Sequence, residues 1–355
     1  MNNLFIVNTP FHLLTSYILS NSFFVADHNY LALIHPHGYD KWQHSPLMSF
    51  ISSTACGYKE VFPLINFLSS RKKTVPFKKQ VSDVQNTIGK LHIDNVFLGS
   101  DIDPQNQLLV ASLNIDKFIR YEDGLYSYYN ENRRRSKIDE YFHKLKLWGI
   151  KKTANIHGNL YLNTSTASDS KAGIADYMYK PSLLQRYSPN AVEITNTHIQ
   201  TAINKLINNN LLKKQFTKPS ILYLSQPLVE QGLISLENEV ANLQKLLKSL
   251  DSAEQLLYKP HPNDSISKIK HLKEKIPQLT IFEGIEPAEL LYAVENNLLA
   301  VVSYQSTALM YTDKFANHQI MSISLSDLAN SYIYPKYKEI MVQAGVLFPK
   351  ELDLL

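Results

Sequence analysis

The chain has 355 residues, 44% hydrophobic and 19% charged, a soluble globular composition with enough length for two domains. Formal net charge is +4, from 36 Lys+Arg against 32 Asp+Glu, too small an excess to argue for a nucleic-acid partner. One cysteine, Cys56, excludes an intrachain disulfide framework and a multi-cysteine zinc site.

Met1-Asn2-Asn3 carries no basic stretch, and the apolar run after it is interrupted by Asn8, Thr9, Pro10 and His12. No signal peptide is expected, and no run approaches the ~18 apolar residues of a bilayer span. The expected location is the cytoplasm, with peripheral contact to the inner membrane allowed.

Leu4-Phe5-Ile6-Val7 reads as a strand that stops at Asn8-Thr9-Pro10, with a helix from about Phe11 to Ser20 behind it. The pattern recurs. Tyr30 to Ile34 ends at His35-Pro36-His37-Gly38, Asn95 to Leu98 at Gly99-Ser100, and Lys117 to Arg120 at Tyr121-Glu122-Asp123-Gly124. Continuous apolar strands alternating with helices are buried on both faces, so a doubly wound parallel sheet is expected. The asparagine- and lysine-rich stretch 208–220 marks a boundary, giving expected domains 1–215 and 216–355. The pattern then restarts: Ile221–Leu224 ends at Ser225-Gln226-Pro227, Gln255–Tyr258 at Lys259-Pro260-His261-Pro262, Leu279–Phe282 at Glu283-Gly284, and Leu298–Val302 at Ser303-Tyr304-Gln305-Ser306-Thr307. A last strand is expected within 318–323. Ligands of such sheets bind beyond the carboxyl ends of the strands.

Lys259-Pro260-His261-Pro262 is the most constrained of these tips. Each proline fixes its own φ and disfavours the helical region for the residue before it. Glu122-Asp123-Gly124 places two acids at a strand end, able to perturb each other and leave one as a general base, or to form a turn with a capping aspartate. Glu289 lies in a helix start after Pro287, where acids complement the dipole or accept bonds from sugar hydroxyls. Ser306 and Thr307 read either as an anion site or as an ordinary cap. Asp101-Ile102-Asp103 is a D-x-D triplet of the kind that holds Mn²⁺ on a nucleotide diphosphate. Arg133-Arg134-Arg135-Ser136-Lys137 reads as a solvated helix start or a patch for an acidic glycan or lipid head group. His12 lines the cleft or packs as a core or surface histidine. His35, His37 and His157 lack ligand spacing, and no Gly-rich phosphate loop is present.

Taken in order, Glu122-Asp123-Gly124, Lys259-Pro260-His261-Pro262 and Ser306-Thr307 resemble the motifs of bacterial sialyltransferases. These comprise the Pasteurellaceae-type multifunctional enzymes, the lipooligosaccharide sialyltransferases (glycosyltransferase family 52) and the capsule polysialyltransferases. The interval of 17 residues from Glu289 to Ser306 fits the same pattern. Leu4 to Leu14 looks like the family 52 N-terminus, and Ile221 to Gln226 is similar to the polysialyltransferase version of its strand.

The resemblance implies a GT-B fold, two Rossmann-like domains with the active site in the cleft between them. The N-terminal domain would bind the acceptor and the C-terminal domain the CMP-sugar. It implies CMP-sialic acid as donor, inversion at the anomeric carbon, no metal or other cofactor, and a galactoside-type lipooligosaccharide or capsule glycan as acceptor. Asp123 or Glu122 would be the base and His261 the group that protonates or hydrogen-bonds the leaving phosphate. Ser306 and Thr307 would bind that phosphate and Glu289 the ribose. Lys259 would supply charge near the nucleotide, and Pro262 would stiffen the donor-binding loop. Some lipooligosaccharide enzymes take their base from an Asp after a proline. Here Leu228 follows Pro227, and the nearest acid is Glu230. Alternatives are transfer of another CMP-nonulosonate or of Kdo, metal-dependent transfer through Asp101 and Asp103, and a non-catalytic carbohydrate- or nucleotide-binding protein.

Overall fold

The computed structural model describes the chain except residues 36–45, 52–55, 66–76, 130–136, 161–169, 213, 215, 250–252, 283, 285, 329–334 and 352–355. The first half runs β1 (Asn2–Val7), α1 (Pro10–Ser22), β2 (His28–His35), α2 (Pro46–Ile51), β3 (Tyr58–Ile65), α3 (Phe77–Thr87), β4 (Asn95–Leu98), α4 (Pro104–Ser112), β5 (Phe118–Tyr121), α5 (Lys137–Thr153), β6 (Gly173–Met178), β7 (Ala191–Glu193) and α6 (Asn196–Asn208). The second runs β8 (Ser220–Leu224), α7 (Leu236–Ser249), β9 (Gln255–Lys259), α8 (Ile266–Lys275), β10 (Leu279–Ile281), α9 (Ala288–Val294), β11 (Leu298–Ser303), α10 (Thr312–Phe315), β12 (Met321–Ser324) and α11 (Pro335–Gln343).

Two parallel sheets result. The N-terminal sheet has the order β3-β2-β1-β4-β5-β6-β7 and the C-terminal sheet β10-β9-β8-β11-β12. Both start at a central strand, wind outward one way, then return to wind the other way. Each therefore has a topological switch point, between β1 and β4 in one and between β8 and β11 in the other, where strand-end loops diverge. The chain divides into units Met1–Ala202 and Ile203–Leu355. The division falls inside α6, upstream of the asparagine- and lysine-rich stretch expected to carry it.

The expected burial on both sheet faces is present. Leu4 and Ile6 pack with Ile88 and Leu109 on one face of the N-terminal sheet, while Phe5 stacks on Phe97 on the other at 4.5 Å between centroids. In the C-terminal sheet Ile221, Tyr223 and Val302 pack with Leu243 of α7 and Leu272 of α8. The helix after β1 starts at once because Thr9 caps it, accepting from His12 N at 3.1 Å, and Pro10 opens the first turn. His12 is thereby fixed one turn beyond the strand end.

Three strands escape an apolar-run reading for identifiable reasons. β3 carries Lys59, Glu60 and Pro63, tolerable because it is an edge strand with one neighbour. β7 has three residues and lies at the other edge. β6 contains Asp176, fully buried. Its carboxylate is neutralised by Arg120 Nε (2.5 Å) and Nη2 (3.1 Å) from the neighbouring β5 and by Arg186 Nη2 (2.9 Å). These guanidiniums hold Asp176 below the usual carboxylate range against the opposing effect of burial. Arg120 Nη1 also lies 3.4 Å from the buried Asp101.

Removing one member of a buried ion cluster leaves the others uncompensated. The Arg120→Leu variant should therefore lose about 3–5 kcal/mol of stability, measured by denaturant unfolding of the N-terminal unit.

Candidate active site

In the C-terminal unit, four strand-end loops carry polar groups at the carboxyl edge of one sheet. β9 runs straight into Pro260-His261-Pro262, and Asp264 three residues after the histidine locks the loop. Asp264 Oδ2 accepts from the His261 backbone N–H at 2.9 Å and hydrogen-bonds the Tyr258 hydroxyl at 2.7 Å. Its other oxygen lies 3.2 Å from Lys268 Nζ. Lys268, on α8, is buried and also reaches Glu239 (3.2 Å), Ser225 Oγ (3.1 Å) and the Gln226 carbonyl (3.1 Å). The loops after β8 and β9 thus share one buried ammonium. Gln226 extends the set to β11, its side-chain oxygen accepting from Gln305 N at 2.6 Å.

His261 is half-buried, and its Nδ1 accepts from the Asn263 backbone N–H at 3.1 Å. A neutral ring in this setting carries its proton on Nε2. Burial lowers the His261 pKa below its ordinary value. Lys268 adds to that effect, while Asp264 and Glu230 oppose it. The ring is therefore a neutral Nε2–H donor around pH 7.

Lys259 Nζ donates to the Gly284 carbonyl at 2.7 Å and lies 5.2 Å from the Phe282 ring centroid. Burial pushes its ammonium down to about 8, with Glu286 and Glu289 pulling the other way. Burial likewise pushes Glu289 up to about 7, opposed by its own backbone N–H and by Lys259. Beside them Glu286 Oε1 and the Tyr292 hydroxyl are buried with no hydrogen-bond partner among the described residues. These incompletely satisfied polar groups have the chemistry of a hydroxyl-bearing ligand subsite. Pro287 stands at the cap position of α9, with no side-chain bond, rather than inside its first turn. Ser306 caps a single 3-10 turn, Thr307–Tyr311, by accepting from Ala308 N at 3.3 Å. A 3-10 helix rather than an α-helix follows Ser306, so any anion at Ser306-Thr307 meets hydroxyls and amides more than a macrodipole. Pro262 is exposed at the tip of its loop.

In the N-terminal unit the two acids after β5 separate by environment. Glu122 is fully buried and accepts from the Tyr128 hydroxyl at 2.6 Å and from Tyr179 N at 2.7 Å. Asp123 is 28% exposed, and its Oδ1 meets His12 Nε2 at 2.5 Å. Gly124 adopts φ +77, the left-handed turn that a following glycine permits. Asp123 forms no side-chain cap, so its carboxylate is left to His12. The imidazole reaches Asp123 by passing over Gly99 at the end of β4, where a Cβ would sit 2.4 Å from Nε2. Three strand ends thereby meet: β1 supplies the histidine, β4 the glycine and β5 the carboxylate.

Asp101 and Asp103 have structural partners. Asp101 is buried against Arg120 and accepts from Ser170 N at 3.0 Å. Asp103 caps α4, accepting from Gln105 N at 2.7 Å. Among the described residues no His, Cys, Asp and Glu cluster is arranged to hold a metal ion. Glu230 accepts from Ser265 N at 2.8 Å and lies 3.8 Å from Lys268, bracing the His261 loop. Arg133-Arg134-Arg135-Ser136, His37 and Glu283 lie outside the described residues. Sequence reasoning gave Asp264, Lys268 and Gln226 no role of their own and did not pair His12 with Asp123. The Asp264–Lys268 spacing of i, i+4 at a helix start was the one available signal.

The raised Glu289 pKa has a sign. The folded state holds a proton that the unfolded state releases from about pH 4.3 upward, so stability falls as pH rises from there to about 7. Glu289→Gln should remove that slope. Its Tm should exceed wild type at pH 8, and the difference should vanish near pH 4.

Solved structures share the fold at low identity. UDP-N-acetylglucosamine 2-epimerase from Neisseria meningitidis matches at 12% identity and TM-score 0.52, covering 99% of this chain and 88% of that one. A putative 2-epimerase of the same type from Listeria monocytogenes matches at 11% and 0.54, covering 97% and 86%. The glycosyltransferase VinC matches at 10% and 0.51, covering 100% and 88%. Together with the two parallel sheets, these give the GT-B type of α/β fold. No curated protein sequence matches. The family description alpha-2,8-polysialyltransferase matches residues 3–323, from the first strand into the last. The chain is a glycosyltransferase of the sialyltransferase kind and belongs to the alpha-2,8-polysialyltransferase family.

Proposed function

We propose that the enzyme transfers sialic acid from CMP-sialic acid to a hydroxyl of a cell-surface glycan, inverting the anomeric carbon and using no metal. The observation that carries this reading is the His261 loop. Its backbone is fixed by Asp264 and its Nδ1 is occupied by Asn263 N–H, so Nε2–H is the remaining donor. A neutral Nε2–H suits a departing phosphate as a hydrogen-bond donor, and it stabilises charge as that charge develops. Ser306 and Thr307 supply hydroxyls to the same phosphate, Lys259 a positive charge, and Glu289 a carboxylate for the ribose hydroxyls. Pro262, with Pro260, preorganises the loop.

The base is assigned to Asp123. It is the exposed member of the acid pair, whereas Glu122 is consumed by Tyr128 and Tyr179. Asp123 Oδ2 is left to accept the acceptor hydroxyl's proton while Oδ1 stays with His12. Glu122 then acts as the anchor that sets the turn. A monophosphate leaving group needs less charge neutralisation than a diphosphate, which fits imidazole, hydroxyls and a lysine without a metal. The acceptor is assigned as a galactoside-type lipooligosaccharide or capsule glycan. The family description favours a second reading, α2,8 addition to an acceptor that already ends in sialic acid.

The test is transfer from CMP-sialic acid to galactoside and sialoside acceptors, with CMP-Kdo as competitor and EDTA in a parallel series. Asp123→Asn should reduce turnover about 10²–10⁴-fold and His261→Ala about 10²–10³-fold, with activity retained in EDTA. A folded Glu122→Gln variant without activity beside an active Asp123→Asn variant would move the base to Glu122. Loss of activity in EDTA restored by Mn²⁺ would overturn metal independence.

A further inference from the structure

α5 is amphipathic on two opposite faces. Its inner face holds it to the N-terminal unit, where Leu147 packs with Val81, Leu108 and Ala111. Its outer face is also apolar. Ile138 is 67% exposed, Tyr141 62%, Phe142 63%, Leu145 43% and Trp148 57%. The spacing 138, 141/142, 145, 148 puts them on one strip, at about 100° per residue. Most exposed hydrophobic side chains stand singly and need no explanation, but a contiguous strip of five on one helix marks an interaction surface.

The charge pattern identifies the partner. The helix carries Lys137, Lys144, Lys146, Lys151 and Lys152 against Asp139 and Glu140, two acids confined to its first turn. Helical position places Lys144 and Lys146 about 100° to either side of Leu145, flanking the apolar strip. Lys152 lies over the Trp148 ring, 5.2 Å from its centroid. An aromatic and aliphatic strip bordered by lysines is the pattern of a helix lying in a bilayer interface, with ammonium groups at the level of anionic head groups.

We propose that the outer face of α5 docks the N-terminal unit on an anionic lipid surface. The docking is peripheral, since no helix among the described residues is long and apolar enough to cross a membrane. This surface is separate from the residues assigned to catalysis, so it stands or falls independently of them.

The test is co-sedimentation of the full-length protein with pure phosphatidylcholine vesicles and with phosphatidylglycerol-containing vesicles. Binding should require phosphatidylglycerol and weaken as salt rises. The double variant Lys144→Glu/Lys146→Glu should bind at least about tenfold more weakly. Phe142→Ser/Trp148→Ser should abolish binding, with both variants keeping the wild-type Tm and transferase activity on a soluble acceptor. With Trp42→Phe, Trp148 is the sole tryptophan. Its emission should shift to the blue on these vesicles and be quenched by bromine-labelled acyl chains. Absence of binding, binding unaltered by either double variant, or an unshifted Trp148 would overturn the proposal. So would a dimer in solution that Trp148→Ser dissociates.

Discussion

The buried ammonium of Lys268 is the constraint on which the C-terminal site depends. Burying a lone charge is costly, and a buried pair repays that cost only when its remaining hydrogen bonds are made. Lys268 is held by Asp264, Glu239, Ser225 and the Gln226 carbonyl. Those partners come from α7, from the loop after β8 and from the loop after β9. One side chain therefore fixes the relative positions of segments that are far apart in sequence. His261 gains its fixed backbone from Asp264, and Gln226 passes the constraint on to the segment before Ser306. Polar loops stand at a strand edge without collapsing because their unsatisfied groups are paired inside this network.

The N-terminal unit positions its strand-end acids with a histidine, a glycine and two tyrosine-bearing segments. His12 crosses a glycine to reach Asp123, and Glu122 is absorbed by two tyrosine-bearing segments. Adjacent acids with identical local sequence signals acquire opposite roles, one anchoring and one available. That division follows from where the strand stops: the Glu122 N–H still donates to the Tyr177 carbonyl of β6 at 3.1 Å, whereas Asp123 already begins the 3-10 turn after it.

Much of this was legible in the sequence. Continuous apolar runs, most of them ending at polar tips, located nine of the twelve strands among the described residues, because strands buried on both faces leave an unambiguous composition. The runs failed where a strand needed a charge, as at Asp176 in β6, or lay at an edge, as in β3 and β7. The candidate residues stood out as local motifs. What holds them did not, because Lys268 and Asp264 look like ordinary helix-start charges until burial brings Glu239 and Ser225 to them. His12 likewise carried a position but no partner, since its contact with Asp123 spans 111 residues and depends on strand order. The D-x-D triplet shows the converse: its two acids have structural partners, Arg120 and a helix cap, that the sequence does not announce.

The central claim is that the carboxyl edge of the C-terminal sheet receives the phosphate of a CMP-sugar. A crystal structure with CMP tests it most directly. The account predicts the phosphate within hydrogen-bonding distance of His261 Nε2 and of the Ser306 and Thr307 hydroxyls, with the ribose hydroxyls on Glu289. A phosphate held elsewhere, or a His261 ring that keeps Nε2 away from it, would contradict the account.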